Sequence, residues 1–168
     1  MRALRGLFLF FAGLLLGLGI EFAVQSAIAQ NRSPNHGIVA MNHVGINVPD
    51  LDKAVEYYTK TLGFPEAFRN KDAQGNTTLV YVQISRNTFV ELQPAGDRPV
   101  GLSHFGVVVE NMKQATEMFK QRGAKVDDIR VSGTKAILSN VHDPNDNRME
   151  LLELPPDSLH AQASARWR

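Results

Sequence analysis

The sequence predicts an α+β fold built from two tandem βαβββ modules. First, residues 43–48, His-Val-Gly-Ile-Asn-Val, are nearly repeated at 104–109 as His-Phe-Gly-Val-Val-Val. Second, each stretch is followed by apolar residues at helical spacing and then by strand-like runs that end on a Glu-Leu pair, at 91–92 and at 150–151. The offset is 61 residues between the two histidines and 59 between the two glutamates, and such self-similarity indicates a duplicated structural unit with two one-residue deletions in the second copy. We therefore expect two copies of one module.

Residues 1–29 predict a cleavable secretory signal peptide. Arg2 and Arg5 give a positive start, residues 6–20 are a charge-free apolar run, and Ala27-Ile28-Ala29 fits a small-x-small cleavage site. The apolar run is short for a membrane span, and retention as an uncleaved N-terminal anchor is the alternative. We expect an exported protein, periplasmic or secreted, with no membrane contact after cleavage.

The composition of the remaining chain excludes several classes of function. Without residues 1–29 the formal net charge falls from +1 to 0, because two arginines and one glutamate are removed with them. A neutral chain gives no reason to expect nucleic acid or an anionic membrane as a partner. The absence of cysteine excludes thiolate zinc sites and cysteine nucleophiles. Any metal must be held by nitrogen and oxygen.

The first module is expected at about residues 41–95, after a flexible lead-in at 30–40. Asp50 is placed to cap a helix whose apolar residues recur at three- and four-residue steps, and Gly63 ends that helix. Turn residues separate the strand-like runs that follow. We expect strands at 41–48, 64–69, 77–85 and 88–93, with the helix at 51–62.

The second module, at about residues 101–155, repeats this order after a polar linker at 94–101. Asp and Asn residues at 142–147 predict a tight turn, since they cap locally and tolerate left-handed backbone. Residues 156–168 lose periodicity, and we expect a C-terminal tail that is an arm or is disordered. The expected elements of the module are strands at 103–109, near 127–131, at 135–140 and at 148–154, with a helix at 112–122.

Four polar side chains stand at equivalent points of the two modules. Alternate residues of a strand share a face, so His43 points to the opposite face of the sheet from the apolar Val44 and Ile46. Glu91, His104 and Glu150 point away from their apolar neighbours in the same way. Singly, a histidine or glutamate on a strand is more often a satisfied surface or core residue. Jointly, two imidazoles and two carboxylates in a partly closed cavity are costly without a cation. The four candidate metal ligands are His43, Glu91, His104 and Glu150.

Over residues 39–154 the chain resembles the vicinal oxygen chelate (VOC) superfamily, and within it glyoxalase I. The stretch from His43-Val44-Gly45 to Leu62-Gly63-Phe64 is similar to the glyoxalase I signature, with Tyr57 where that family usually has phenylalanine. The turn at 143–147 looks like the superfamily's Asp-Pro-Asp-Gly turn. The resemblance implies that a curved mixed sheet surrounds a divalent metal bound by the four residues above. Ni, Co, Zn, Mn and Fe all remain open, because imidazole and carboxylate suit each of them.

This resemblance implies a glyoxalase-type lyase or isomerase that moves a proton next to a metal-chelated carbonyl of a small substrate with vicinal oxygens. Glu150 is the candidate base and Glu91 its counterpart; alternatively, both only hold metal. A ferrous-iron dioxygenase of the extradiol type, using His43, His104 and Glu150, is a second reading, and a non-catalytic bleomycin-resistance-like binding protein is a third. We expect a homodimer, with the site closed within one chain or across two.

Binding of glutathione is the weakest part of the resemblance. Glyoxalase I commonly has an arginine near the end of the first strand that binds a glutathione carboxylate, and Asn47 stands there. A neutral amide is a poor substitute for that charge-assisted contact. Other polar residues are more often solvated or packed than functional. Those weighed in this way are Tyr81, Arg98 and Arg148 as substrate contacts, His142 as a turn residue, and His36 and His160 in the chain ends.

Overall fold

The computed structural model describes residues 37–168, which form a nine-stranded mixed sheet and three helices. The strands are β1 (Ile38–Val48), β2 (Glu66–Lys71), β3 (Thr77–Ser85), β4 (Thr88–Pro94), β5 (Gly101–Val109), β6 (Lys125–Val126), β7 (Arg130–Val131), β8 (Ile137–His142) and β9 (Arg148–Glu153). The helices are α1 (Leu51–Glu56), which continues as a π-helical turn over Tyr57–Thr61, α2 (Met112–Gln121) and α3 (Leu159–Arg166). The predicted α+β class is confirmed.

The strand order, β2-β3-β4-β1-β5-β9-β8-β6 with β7 paired to β8, contains the duplication. In each module the first strand pairs in parallel with the last, β1 with β4 and β5 with β9. The two modules join through the antiparallel pair β1 and β5. The first and last strands of both modules therefore occupy the four central positions of the curved sheet, in the order β4-β1-β5-β9.

Each module packs its own helix against one face of its half of the sheet. Asp50 caps α1 by accepting a hydrogen bond from the Lys53 backbone N–H, and Asn111 caps α2 in the same way from Gln114. The two helices cover separate apolar clusters, one including Val48, Val82, Val90 and Leu92 and the other including Val107, Val109, Met112 and Leu151. The opposite face of the four central strands remains for polar side chains.

Two of the expected strands differ clearly from the structure. Strand β1 begins at Ile38, inside the expected lead-in at 30–40. The strand expected near 127–131 is instead two strands of two residues each, β6 and β7, which both pair with β8. The register with β8 shifts by one residue between them, since Val126 lies beside Val141 and Arg130 lies beside Leu138. The expected signal peptide at 1–29 lies outside the described residues. Across residues 37–168 there is no helix that is both long and apolar enough to span a bilayer.

Leu159–Arg166 forms a docked helix, so the expectation that residues 156–168 are an arm or disordered was wrong. Ser158 caps α3 by accepting a hydrogen bond from the Ala161 N–H, and the Leu159 N–H donates to the Thr134 carbonyl at 2.9 Å. Ala163 is buried in a cluster with the aromatic side chains of module 1. His160, which was expected in a disordered end, is only 1% exposed. Eight residues give too few turns for a clear apolar period.

Candidate metal centre

The four predicted ligands converge because the register of the central strands places them in two rows. In one row Glu91 of β4 lies beside Gly45 of β1, and Gly45 lies beside His104 of β5. The other row is its mirror across the module boundary, since His43 lies beside Gly106 and Gly106 beside Glu150 of β9. Each row thus contains a histidine from one module, a glycine from the other and a glutamate.

The glycine of each His-x-Gly pair makes room for the histidine of the other module. A Cβ atom on Gly45 would overlap the imidazole ring of His104, and a Cβ atom on Gly106 would overlap the ring of His43. Both glycines lie outside the left-handed region of backbone conformation, so the requirement is space and not torsion. The repeated glycine, which served only as a marker of duplication in the sequence, is therefore part of the site.

The donor atoms of His43, His104 and Glu91 lie at distances that suit a single divalent ion, and that of Glu150 lies slightly farther out. The Nε2 atoms of His43 and His104 are 3.0 Å apart, and each lies 3.4 Å from Oε2 of Glu91. Oε1 of Glu150 lies 3.8 Å from Nε2 of His43. Two ligand atoms about 2.1 Å from one ion, at right or tetrahedral angles, are separated by about 3.0 to 3.4 Å. All four side chains are buried, and the donor set fits a borderline divalent cation.

The hydrogen bonds of the second ring nitrogens bear on this fit. Nδ1 of His43 lies 2.9 Å from Oδ1 of Asn42 and donates to it, which leaves a lone pair on Nε2 for a metal. Nδ1 of His104 lies 2.8 Å from Oγ of Ser103 and 2.7 Å from Nη2 of Arg148. The hydroxyl can accept from Nδ1–H, whereas the guanidinium can only donate. Coordination through Nε2 therefore favours Ser103 as the partner of His104 and releases Arg148.

The two carboxylates have different surroundings. Tyr81 is buried, and its hydroxyl donates to Oε2 of Glu91 at 2.6 Å. Burial alone would raise the pKa of Glu91, but hydrogen bonds from His104 and Tyr81 and the nearby imidazoles outweigh it and lower the pKa to about 2. Burial raises the pKa of Glu150, and the charge of Glu91 raises it further. Its nearest cationic groups are Arg148 Nη1 at 3.8 Å and Arg130 Nη2 at 3.9 Å.

Burial also determines the charge of His43. Desolvation lowers its pKa to about 3, despite the opposing effect of Glu91, so the ring is neutral at pH 7. Its 3.4 Å contact with Glu91 is then not an ion pair. A neutral imidazole is the form that binds a metal.

A cavity of about 220 Å³ opens from the carboxylates towards the surface. Both glutamates line it, together with Tyr81, His160 and three arginines: Arg98, Arg130 and Arg148. Arg98 is held by its own loop, since Nε donates to the Ala95 carbonyl and Nη1 to Gln93. Arg130 and Arg148 place positive charge in the cavity beside the Glu150 carboxyl group.

The sequence-predicted candidates are placed as follows. All four predicted ligands meet, and whether they bind metal stays a prediction. Tyr81, weighed as a substrate contact, reaches the site as the hydrogen-bond donor to Glu91. Asn47 is buried, donates to the Pro99 carbonyl at 2.9 Å and does not line the cavity. His142 lies at the turn, near Asp127 and Asp146. His160 was missed, because no signal within the tail distinguishes a docked helix from an arm.

Comparisons with known proteins place the chain in a family. A family model described as "Glyoxalase/Bleomycin resistance protein/Dioxygenase superfamily" matches residues 40–151. The chain is 29% identical to a probable chloroplastic lactoylglutathione lyase of Arabidopsis thaliana, over 69% of this chain and 36% of that protein. It is 25% identical to the mitochondrial methylmalonyl-CoA epimerase of Mus musculus, over 64% of this chain and 66% of that one. The chain thus spans about a third of the plant relative and about two thirds of the mouse relative.

Solved structures share the fold. The crystal structure of methylmalonyl-CoA epimerase from Mycobacterium tuberculosis superposes with a TM-score of 0.65 at 19% identity, covering 76% of this chain and 96% of that one. A variant of the Streptomyces coelicolor methylmalonyl-CoA epimerase, in complex with 2-nitronate-propionyl-CoA, gives a TM-score of 0.59 at 20% identity, covering 69% of this chain and 97% of that one. At such identities the likeness concerns the arrangement of the chain alone.

Proposed function

The chain belongs to the glyoxalase/bleomycin resistance protein/dioxygenase superfamily, and from that premise we propose that it is a divalent-metal-dependent isomerase or lyase of glyoxalase type. It would move a proton on the carbon next to a carbonyl of a small substrate. The observation that carries the proposal is the pair of unlike carboxylates at one donor cluster. Glu91 is held by the Tyr81 hydroxyl, whereas no hydrogen bond to Glu150 forms within the described chain. The surroundings lower the pKa of Glu91 and raise that of Glu150, and such a pair of groups is typical of sites that carry out acid–base chemistry.

All four residues can offer a donor atom to a metal, and we assign one of them a further role on the substrate. His43, His104 and Glu150 offer donor atoms within 4.8 Å of one another, and Glu91 completes the set. A bound divalent ion would supply a Lewis acid that stabilises negative charge developing on the substrate oxygens. Glu150 lines the cavity and has the freer carboxylate, so we assign it the role of general base. Glu91 is assigned mainly to holding the ion.

Two substrate classes follow from the relatives and the cavity. Lactoylglutathione lyase and methylmalonyl-CoA epimerase are the names of the matched relatives, and both names describe thioesters. Arg130 and Arg148 on the cavity wall favour a substrate with an anionic group near the reacting carbon. A malonyl-type thioester has such a carboxylate next to that carbon. The position of Asn47, away from the cavity, gives no support for a glutathione carboxylate at the place where glyoxalase I commonly binds it.

The ferrous dioxygenase remains as a second candidate because one observation favours it. The set of His43, His104 and Glu150 is itself a complete two-histidine, one-carboxylate cluster, and such a set suits ferrous iron with open positions for oxygen. The buried Glu91 beside both imidazoles argues for a fourth ligand and hence for proton transfer. Export and the homodimer stay predictions.

Metal analysis and deuterium exchange test the proposal together. The full chain, purified without added metal, is expected to contain about one equivalent of a divalent metal. In D₂O it should exchange the proton next to the carbonyl of methylmalonyl-CoA, or of the methylglyoxal–glutathione adduct, and lose this exchange on chelation. NMR measures the exchange directly. A protein that binds no divalent metal contradicts the proposal, and catechol-dependent oxygen uptake under ferrous iron would favour the dioxygenase.

A further inference from the structure

His160 is a buried polar side chain that the proposed chemistry leaves without a role. It is 1% exposed, and neither ring nitrogen has a hydrogen-bond partner anywhere in residues 37–168. Buried polar side chains in folded proteins nearly always have at least one such partner. An imidazole buried without one is costly, which calls for a partner supplied from outside the chain.

The ring lies on the wall of the cavity that contains the two carboxylates. Its plane is within 28° of the plane of His43, with ring centroids 6.3 Å apart. Tyr81 and Phe68 meet it edge to face, with centroids at 4.7 and 4.9 Å. These aromatic neighbours hold the ring by packing and offer no hydrogen-bond partner to its nitrogens.

Burial keeps this imidazole uncharged. Desolvation lowers the pKa of His160 to about 4, against a smaller opposing effect of Glu91. A neutral imidazole has one N–H donor and one acceptor nitrogen. It therefore suits a hydroxyl or carbonyl oxygen and is not a counter-charge for a carboxylate, which distinguishes it from Arg130 and Arg148.

Helix α3 is fixed at both sides of the histidine. The Ser158 cap and the bond from the Leu159 N–H to the Thr134 carbonyl immediately precede it. Ala163, one turn later, is packed on Phe68, Tyr81 and Phe89. Such anchoring limits the movement of the side chain, as expected of a residue that positions a ligand.

We propose that His160 is a substrate-contacting residue of this site, whose imidazole hydrogen-bonds a neutral hydroxyl or carbonyl oxygen of the bound molecule. The C-terminal helix thereby contributes to the site a side chain that has no counterpart in the duplicated modules. This inference rests on the proposed function only in requiring that a small oxygen-bearing molecule enters the cavity.

The test uses acetohydroxamate, a small probe with two vicinal oxygens, and zinc-loaded full-length protein. In protein with ¹⁵N-labelled histidine, the His160 ring nitrogens should shift on titration with the probe, while those of His142 should not. His160→Phe should retain the zinc stoichiometry and bind the probe about tenfold more weakly, which corresponds to the loss of one hydrogen bond. His160→Gln, which keeps an amide donor and acceptor, should recover part of that affinity. His142→Gln is the matched control and should bind the probe as the wild type does.

The outcomes separate this inference from the proposed function. Unchanged His160 signals together with unchanged probe affinity of His160→Phe would overturn it. So would loss of zinc from His160→Phe, because His160 would then be a metal ligand. If His160→Phe does not fold, the wild-type titration and His160→Gln decide. If the wild type exchanges no proton but His160 responds to the probe, the proposed function fails and this inference stands.

Discussion

The two modules present equivalent ligands in unlike surroundings. His43 lies beside Phe89 in the sheet, whereas its equivalent His104 lies beside Arg148. Glu91 pairs across the ladder with Tyr81, and Glu150 pairs in the same way with Asn140. Module 1 therefore surrounds its ligands with aromatic side chains, and module 2 surrounds them with polar and cationic ones.

The pair Tyr81 and Asn140 shows what this difference does. The Tyr81 hydroxyl reaches Glu91, but Asn140 turns its amide to Asp127, which accepts from Nδ2 at 2.7 Å. As a result, Glu91 is held by a hydrogen bond and Glu150 is not. Duplication accounts for the donor set, and divergence of the neighbouring residues accounts for the separate roles that we propose for the two carboxylates.

Exchanging each carboxylate for its amide should give the largest difference between the modules. Glu150→Gln should lower kcat for proton exchange by about 10² to 10⁴-fold, the usual contribution of a general base, while keeping most of the metal. Glu91→Gln should act mainly through metal content. Exchange rates and elemental analysis on the same samples measure both effects. Equal loss of metal and activity in the two variants would contradict the division of roles.

The two glycines test the part of the site that the modules share. Gly45→Ala and Gly106→Ala should each displace the histidine of the other module and lower metal affinity by about 10- to 100-fold, as loss of ligand orientation does. Overpacking should also cost about 1–3 kcal/mol of unfolding free energy. Competition with a chelator and denaturant unfolding measure the two quantities. A large loss of metal affinity in only one of the two glycine variants would show that the two modules do not contribute equally to the placing of the ligands.

Tyr81→Phe removes the hydrogen bond to Glu91, which has no equivalent at Glu150 in module 2. The folded protein lowers the pKa of Glu91 from 4.5 to about 2. Ionised Glu91 therefore contributes fully to the free energy of unfolding above pH 4.5, and this contribution is lost as the pH falls from 4.5 to about 2. Without the Tyr81 hydroxyl the pKa of Glu91 should rise. The free energy of unfolding of the metal-free variant at pH 7 should fall by about 1.5–3 kcal/mol, the usual value of a hydrogen bond to a charged group.

The difference between variant and wild type should shrink below pH 4 in urea unfolding. Tyr58→Phe, which deletes a hydroxyl on the π-helical turn after α1, is the control and should leave both the stability and its acid dependence near those of the wild type. If Tyr81→Phe lowers the free energy of unfolding by the same amount at every pH, then lost packing and not the lost hydrogen bond to Glu91 is the cause.

The helix caps should give the smallest effect and the most similar one in the two modules. Asn111→Ala should lower the free energy of unfolding by about 1 kcal/mol, because the Gln114 N–H loses its acceptor. Asp50→Ala should act in the same direction through Lys53. Thermal unfolding measures both, and metal content should not change. Loss of metal in either variant would show that the helices position the ligands.

Sequence was sufficient for the parts of the molecule that depend on local pattern. Period-two and helical spacing predicted most of the elements, and the duplication brought His43, Glu91, His104 and Glu150 together although each alone was uninformative. Contacts between distant segments were not predictable in this way. Neither the tie from Tyr81 to Glu91 nor the arrival of His160 has a local signature, since both depend on how strand β3 and helix α3 meet the central strands.

The reciprocal fit of glycine and histidine limits how this chain arose and how it can change. Taken alone, module 1 has Gly45, which makes room for the His104 ring of the other module, and it has His43, whose ring needs the space beside Gly106. A single-module ancestor could meet both needs only by pairing its first strand with that of an identical chain about a twofold axis. After fusion, each half could vary its aromatic or cationic neighbours independently, but the histidine of one half and the glycine of the other must be inherited as a unit.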